Sequence, residues 1–192
     1  LFADDSALYF NNVVRGVYYN IKEEMKLICK WFRINKLKFN ADKTSLLIFD
    51  RLAELDSISL TLENGSVCTV NETKSQKYLG LMIDNLLNFQ DHIEYVKSKV
   101  AKRIGALYRS KNLLPLKYRK MFVNALMLPQ FDYLDIIWCR AAKTRLNSLD
   151  ILYKKVAKIA LDVNIREPSV NVYRDMKWLP LHLRRQLHLS SY

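Results

Sequence analysis

The apolar positions follow two kinds of rhythm. Over residues 1–10 they flank an acidic pair on both sides, which predicts a strand, a tight turn at Ala3-Asp4-Asp5 and a second short strand from Ala7 to Phe10. Asn11 and Asn12 offer an N-cap, and Val14, Val17, Ile21, Met25, Ile28 and Phe32 then recur in steps of three and four, the spacing of one helical face. Gly16 weakens the first turn without breaking the stripe, and the helix is expected to end near Asn35. Beyond it Leu37 and Phe39 alternate with Lys36 and Lys38, Asn40-Ala41-Asp42 reads as a turn, and residues 45–49 read as a buried strand. Asn64-Gly65, set between the apolar runs 58–62 and 67–70, is a strong hairpin signal. Residues 77–84 read as one further strand, with Gly80 in its middle where a backbone or ligand comes close.

From residue 88 the rhythm is helical. Asn88 with Asp91 three residues on resembles a capping box, and Ile93, Val96, Val100, Ile104 and Leu107 form a stripe behind it. A second helix follows Pro115 through Tyr118, Phe122, Ala125 and Leu126 to a stop at Pro129. A third begins at Thr144 and carries Leu146, Leu149, Leu152, Val156 and Ile159, with Lys154, Lys155 and Lys158 outside. The aromatic-rich stretch 129–140 leans to helix, with Phe131, Tyr133 and Trp138 expected in the core. Two short helices separated by Pro180 complete the chain. The reading is α+β: a small antiparallel sheet with a long helix, followed by an all-α bundle.

Charge divides the chain at the same place. Among 192 residues, 31 Lys and Arg against 19 Asp and Glu give a net charge of +12. Residues 1–90 hold 11 of each sign, so the whole excess belongs to residues 91–192. A neutral part joined to a strongly basic one points to a polyanionic partner for the second, and nucleic acid is the commonest inside cells. The three cysteines, Cys29, Cys68 and Cys139, lie far apart in no metal-type pair and read as reduced thiols, which suits an intracellular setting. No apolar run is long enough to span a membrane and no signal peptide is visible. His92, His182 and His188 match no metal spacing. Leu1-Phe2-Ala3 reads as the middle of a strand, so the chain is expected to be a piece of something longer.

Asp4-Asp5 carries the chemistry. Two carboxylates at a hairpin tip framed by apolar strands concentrate negative charge where a divalent cation compensates it, and carboxylates hold the paired Mg²⁺ ions of two-metal phosphoryl and nucleotidyl transfer.

Phe2-Ala3-Asp4-Asp5 resembles the catalytic box of reverse transcriptases. Trp31-Phe32 followed by Lys36-Leu37-Lys38-Phe39-Asn40 and Lys43-Thr44 resembles the motif D segment of their palm domain. The run from Lys77 and Tyr78-Leu79-Gly80 to Asp84 resembles the primer-grip strand, and residues 89–111 the helix after it. These signals, in this order and at these intervals, resemble non-LTR retrotransposons of the jockey type, over about residues 1–140.

The resemblance implies an RNA-directed DNA polymerase, a nucleotidyltransferase acting on an RNA template, a DNA primer and dNTPs with Mg²⁺. Residues 1–87 would be the C-terminal part of the palm, and 88–192 the α-helical thumb and C-terminal extension. Asp4 and Asp5 are the implied metal ligands, and Lys43 sits near the incoming phosphates to neutralise charge or protonate pyrophosphate. Tyr78, Leu79 and Gly80 position the primer end. Lys97, Lys99, Lys102, Arg103, Lys111, Lys117, Arg119 and Lys120 are the candidate phosphate contacts of the thumb. The family's third aspartate, nucleotide-selecting helix and fingers precede the Asp-Asp box, so this piece is expected to be inactive alone. The alternative is a non-catalytic nucleic-acid-binding protein derived from such an element. No membrane or obligate protein partner is called for, and the family places its members in nucleus and cytoplasm.

Overall fold

A computed structural model of the chain describes residues 6–10, 17–37, 39–49, 57–61 and 67–191. It divides into two compact units, Leu1–Leu87 and Asn88–Tyr192. Among the described residues no helix is long and apolar enough to cross a membrane.

The first unit is built on helix α1 (Val17–Ile34) and the antiparallel hairpin of β1 (Ser57–Thr61) and β2 (Val67–Asn71). Its core is small. Ile21 and Met25, four apart and so on one helical face, are buried with Ile58, Leu60 and Val70, and Ile28, Phe39 and Leu46 pack around them. Alternation in the hairpin does the rest: Ile58 and Leu60 point inward while Ser59 is exposed, and Val70 is buried between exposed Thr69 and Asn71. The two strands pair antiparallel on either side of Asn64-Gly65 in the sequence; that pair, the Asp4-Asp5 tip and the proposed N-cap all lie outside the described residues.

Two expectations for this unit are corrected. Residues 45–49 form no strand; Leu46 makes an isolated parallel bridge with Glu72, donating its N–H to Asn71 O and accepting from Thr73 N–H, while Phe49 is exposed. Residues 77–84 are not one strand but a second tight hairpin, β3 (Ser75–Tyr78) and β4 (Leu81–Asp84), with Tyr78 paired to Leu81. The two-residue loop Leu79-Gly80 has positive φ at both positions, 46° and 84°. That is the demand of the tight hairpin turn whose twist matches the strands, and it explains the glycine.

The second unit is helical: α2 (Gln90–Ser110), α3 (Leu116–Leu126), α4 (Leu128–Asp132), α5 (Asp135–Trp138), α6 (Lys143–Leu161), α7 (Ser169–Met176) and α8 (Leu181–Ser190). The expected box at Asn88 and Asp91 is replaced by a local cap in which Asn88 Oδ1 accepts from Gln90 N–H at 2.9 Å. The α2 stripe is buried at Ile93, Val96, Val100 and Leu107. Pro129 does not stop a helix; it sits in the first turn of α4, where its missing N–H costs nothing. On α6 the buried face is Leu149, Tyr153, Val156, Ala157 and Ala160, rotated from the expected stripe because Tyr153 forms the centre of the bundle. Its ring meets Phe131 edge-on at 5.2 Å and lies 4.6 Å from Trp178, and its hydroxyl donates to Leu179 O. Phe131 and Trp138 are buried as expected, whereas Tyr133 is half exposed.

Candidate nucleic-acid interface

In the first unit, the structure places Lys43 at the end of a short 3-10 turn, Ala41–Lys43, that follows α1. The Asn40 side chain accepts from Lys43 N–H, and Thr44 Oγ1 donates to Asn40 O at 2.8 Å, which fixes the turn. Lys43 is exposed on the rim of a groove of about 550 Å³ whose opposite wall is Thr69 and Asn71 of β2 with Thr73 and Gln76. Tyr78, Leu79 and Gly80 form the tip and adjoining residue of the second hairpin, all partly exposed. Leu79 holds the left-handed backbone that its two-residue turn demands. Asp4 and Asp5 lie outside the described residues.

The eight cations nominated in the second unit do not share one surface. At about 100° per residue, Lys99, Lys102 and Arg103 lie on one flank of the buried α2 stripe and Lys97 on the other. Several are engaged within the unit. Lys97 pairs with Glu94 at 2.7 Å, Lys99 stands 4.4 Å over the Tyr95 ring, and Lys120 donates to Asp175 O. Lys111 and Arg119 converge on Asp162, at 2.9 and 3.6 Å, and hold its carboxyl below the usual carboxylate range. Arg103 is half buried, with Nη1 enclosed. Lys102 and Lys117 are exposed and without an ion pair among the described residues.

A grouping invisible in the sequence adds to these. Helices α2 and α6 run side by side in the same direction: Arg145 near the start of α6 donates to Asn88 O and Gln90 Oε1, while Lys111 beyond the end of α2 meets Asp162 at the end of α6. Their ends enclose a cleft of about 140 Å³ lined by Tyr108, Lys111, Lys155, Lys158 and Asp162 among others. Both helix dipoles present their negative ends there, so part of the lysine charge is spent locally; Lys158 donates to Ile165 O. Lys155 is exposed beside it.

Among the described residues, the carboxylate and imidazole atoms close enough to share an ion are those of Asp132, Asp135 and His188. They do not fit a Mg²⁺ site. Both oxygens of Asp132 already accept from Arg184, and Asp135 Oδ2 lies 2.7 Å from His188 Nδ1. Mg²⁺ also prefers oxygen ligands and retains water. The group instead ties α8 to α4 and α5. Asp135 is buried, which pushes its carboxyl up against the opposing pull of His188. Arg185 lies 5.3 Å from the Trp138 ring and 3.5 Å from Asp150. His92 is buried against Trp138, its imidazole pushed down to about 4 by burial and by Lys99.

No family model and no solved structure matches the chain. Curated proteins do. The chain aligns over its whole length, at 24% identity, with a probable RNA-directed DNA polymerase from transposon BS of Drosophila melanogaster, covering 21% of that protein. Over 92% of its length it is 26% identical to the RNA-directed DNA polymerase from mobile element jockey of the same fly, covering 19% of it. A probable polymerase from transposon X-element matches 64% of the chain at 21% identity. The chain thus spans about a fifth or less of the length of these relatives. At 21–26% identity, the chain is thus similar to RNA-directed DNA polymerases of non-LTR mobile elements.

Proposed function

We propose that the chain is the C-terminal palm and thumb portion of a reverse transcriptase from a non-LTR retrotransposon, a polymerase that copies RNA by adding dNTPs to a primer. The observation that carries this reading is the alignment of the entire chain with a transposon polymerase. In this reading Asp4 and Asp5 contribute carboxylates to a two-metal Mg²⁺ site, and Lys43 serves the incoming nucleotide's phosphates from its exposed rim position. The Tyr78-Leu79-Gly80 turn steadies the primer end. The helical unit grips the template–primer hybrid through phosphates, because a polymerase must accept every sequence.

The placement of the cations narrows the grip. Lys102 and Lys117, exposed and unpaired among the described residues, are the primary contacts. Lys97, Lys111, Arg119 and Lys120 serve the fold first.

Two acids from one hairpin are too few to hold two Mg²⁺ ions, so the 192-residue chain binds a hybrid without extending it. A gel assay with primed RNA, dNTPs and Mg²⁺ tests this. Retention of the hybrid with no added nucleotide is the expected result. Templated extension by the purified chain contradicts the division of labour, and failure to bind any nucleic acid contradicts the reading as a whole.

A further inference from the structure

The groove beside Lys43 has a chemistry the motifs do not account for. Its far wall is Thr69 and Asn71, two apart on the outer face of β2, continued by Thr73 and by Gln76 of β3. Across the hairpin, Ser59 pairs with Thr69 and Ser57 with Asn71, so the outer face of the sheet carries hydroxyls and an amide. No charged residue occurs in β1 or β2. That is unusual for a surface hairpin, where lysine and glutamate are the ordinary means of keeping an edge soluble and unpaired. The near wall adds Thr44 and Ser45. Lys43 and Asp42 balance one another, leaving the groove without net charge.

A neutral wall of this kind suits sugar more than phosphate. Ser, Thr, Asn and Gln each donate and accept, and they are among the side chains that contact the sugar–phosphate backbone. A deoxyribose offers them no donor, whereas a ribose 2′-hydroxyl both donates and accepts and is the group by which proteins distinguish RNA from DNA. The volume of about 550 Å³ falls within the range of ligand sites. Its polar lining, in place of the usual apolar one, favours a tracked backbone over a gripped base.

We propose that this groove receives the ribose–phosphate backbone of an RNA strand, with exposed Thr69 and Asn71 meeting its 2′-hydroxyls and Lys43 a flanking phosphate. The inference rests on the polymerase reading above and adds to it a site of sugar discrimination outside the motif residues.

The test measures anisotropy of the purified 192-residue chain with fluorescein-labelled single strands of one sequence as RNA, 2′-O-methyl RNA and DNA. RNA is expected to bind about fivefold tighter than DNA, the worth of one net hydrogen bond, with 2′-O-methyl RNA falling toward DNA. The double variant Thr69→Val, Asn71→Val loses that preference while its affinity for DNA is unchanged. Equal affinities for RNA and DNA, or a preference that survives the double variant, overturn the groove assignment and leave the polymerase reading standing. Hydrogen exchange on the unsubstituted chain tests the same point without a variant. RNA-dependent slowing at residues 69–76 is expected, and slowing confined to 88–191 overturns the assignment. Absence of binding to all three strands overturns the polymerase reading itself.

Discussion

The two units bury their apolar residues to different degrees, and the contrast shows what each is built to do. In the helical unit Val100, Leu107, Val123, Phe131, Trp138, Leu149 and Tyr153 are wholly enclosed. Among the described residues of the sheet unit the buried apolar set is Ile21, Met25, Ile58, Leu60, Val70 and Leu81, and Ile21 and Met25 keep 8% of their surface. The helical unit has a deep core that tolerates a strongly cationic exterior, whose self-repulsion works against compactness. The sheet unit has a thin core beneath a neutral polar face, and its special backbone conformations sit at tight turns. In the proposed reading, one unit carries the charge and the other positions a few groups at loop ends.

The largest effect that sharpens this contrast comes from Trp138→Ala. Removing a fully enclosed indole that packs on His92 and faces Arg185 should cost the helical unit about 3–5 kcal/mol, read by denaturant unfolding. Leu60→Ala in the sheet unit should cost less, about 2 kcal/mol, because the shallow core can relax toward solvent. A larger loss for Leu60→Ala than for Trp138→Ala would reverse the proposed ranking.

Acid should act on the helical unit next in size. His92 is pushed down to about 4 from its ordinary 6.5, so the folded state resists a proton that the unfolded chain accepts. Its contribution is fully present above pH 6.5 and is lost as the pH falls toward 4. Buried Asp135, raised above its ordinary value, works in the opposite sense at lower pH, since it protonates earlier when folded. Between pH 7 and 5 the unit should lose about 1–2 kcal/mol. His92→Phe should remove most of that slope; an unchanged melting profile would show that the imidazole is not the sensor.

The smallest effect is on binding. Asp162→Asn releases Lys111 and Arg119, so hybrid affinity should rise about two- to threefold at low salt with little change in melting. Weaker binding would mean that these two cations act only through the ion pair that holds the helix ends together.

Much of the helical unit was legible because its signals are local. The stripe Ile93, Val96, Val100 and Leu107 needs only a period of 3.6, and Pro115, Pro168 and Pro180 each stand just before a helix. What failed was local ambiguity: Pro129 reads equally as the end of one helix or the first turn of the next, and only packing decides. The hairpin at Leu79-Gly80 was hidden because leucine at positive φ is no turn signal, and residues 45–49 look like a strand because Leu46 and Leu47 lie among apolar neighbours. The site is a matter of distance along the chain. Lys43 faces Thr69 and Thr73, His188 meets Asp135, and Lys111 meets Asp162; no periodicity links residues so far apart. Most consequential for the interface, charge counting nominated Lys97, Lys111, Arg119 and Lys120 without revealing that each is already engaged.

The central claim is that the basic unit clasps a template–primer hybrid through phosphates. Its most direct test is the affinity of the purified chain for an RNA–DNA hybrid measured against salt, with the Lys102→Glu and Lys117→Glu variants alongside. A logarithmic slope of about −4 or steeper, made shallower by about one in each variant, is the expected result. A slope near zero, or one that neither substitution changes, contradicts it.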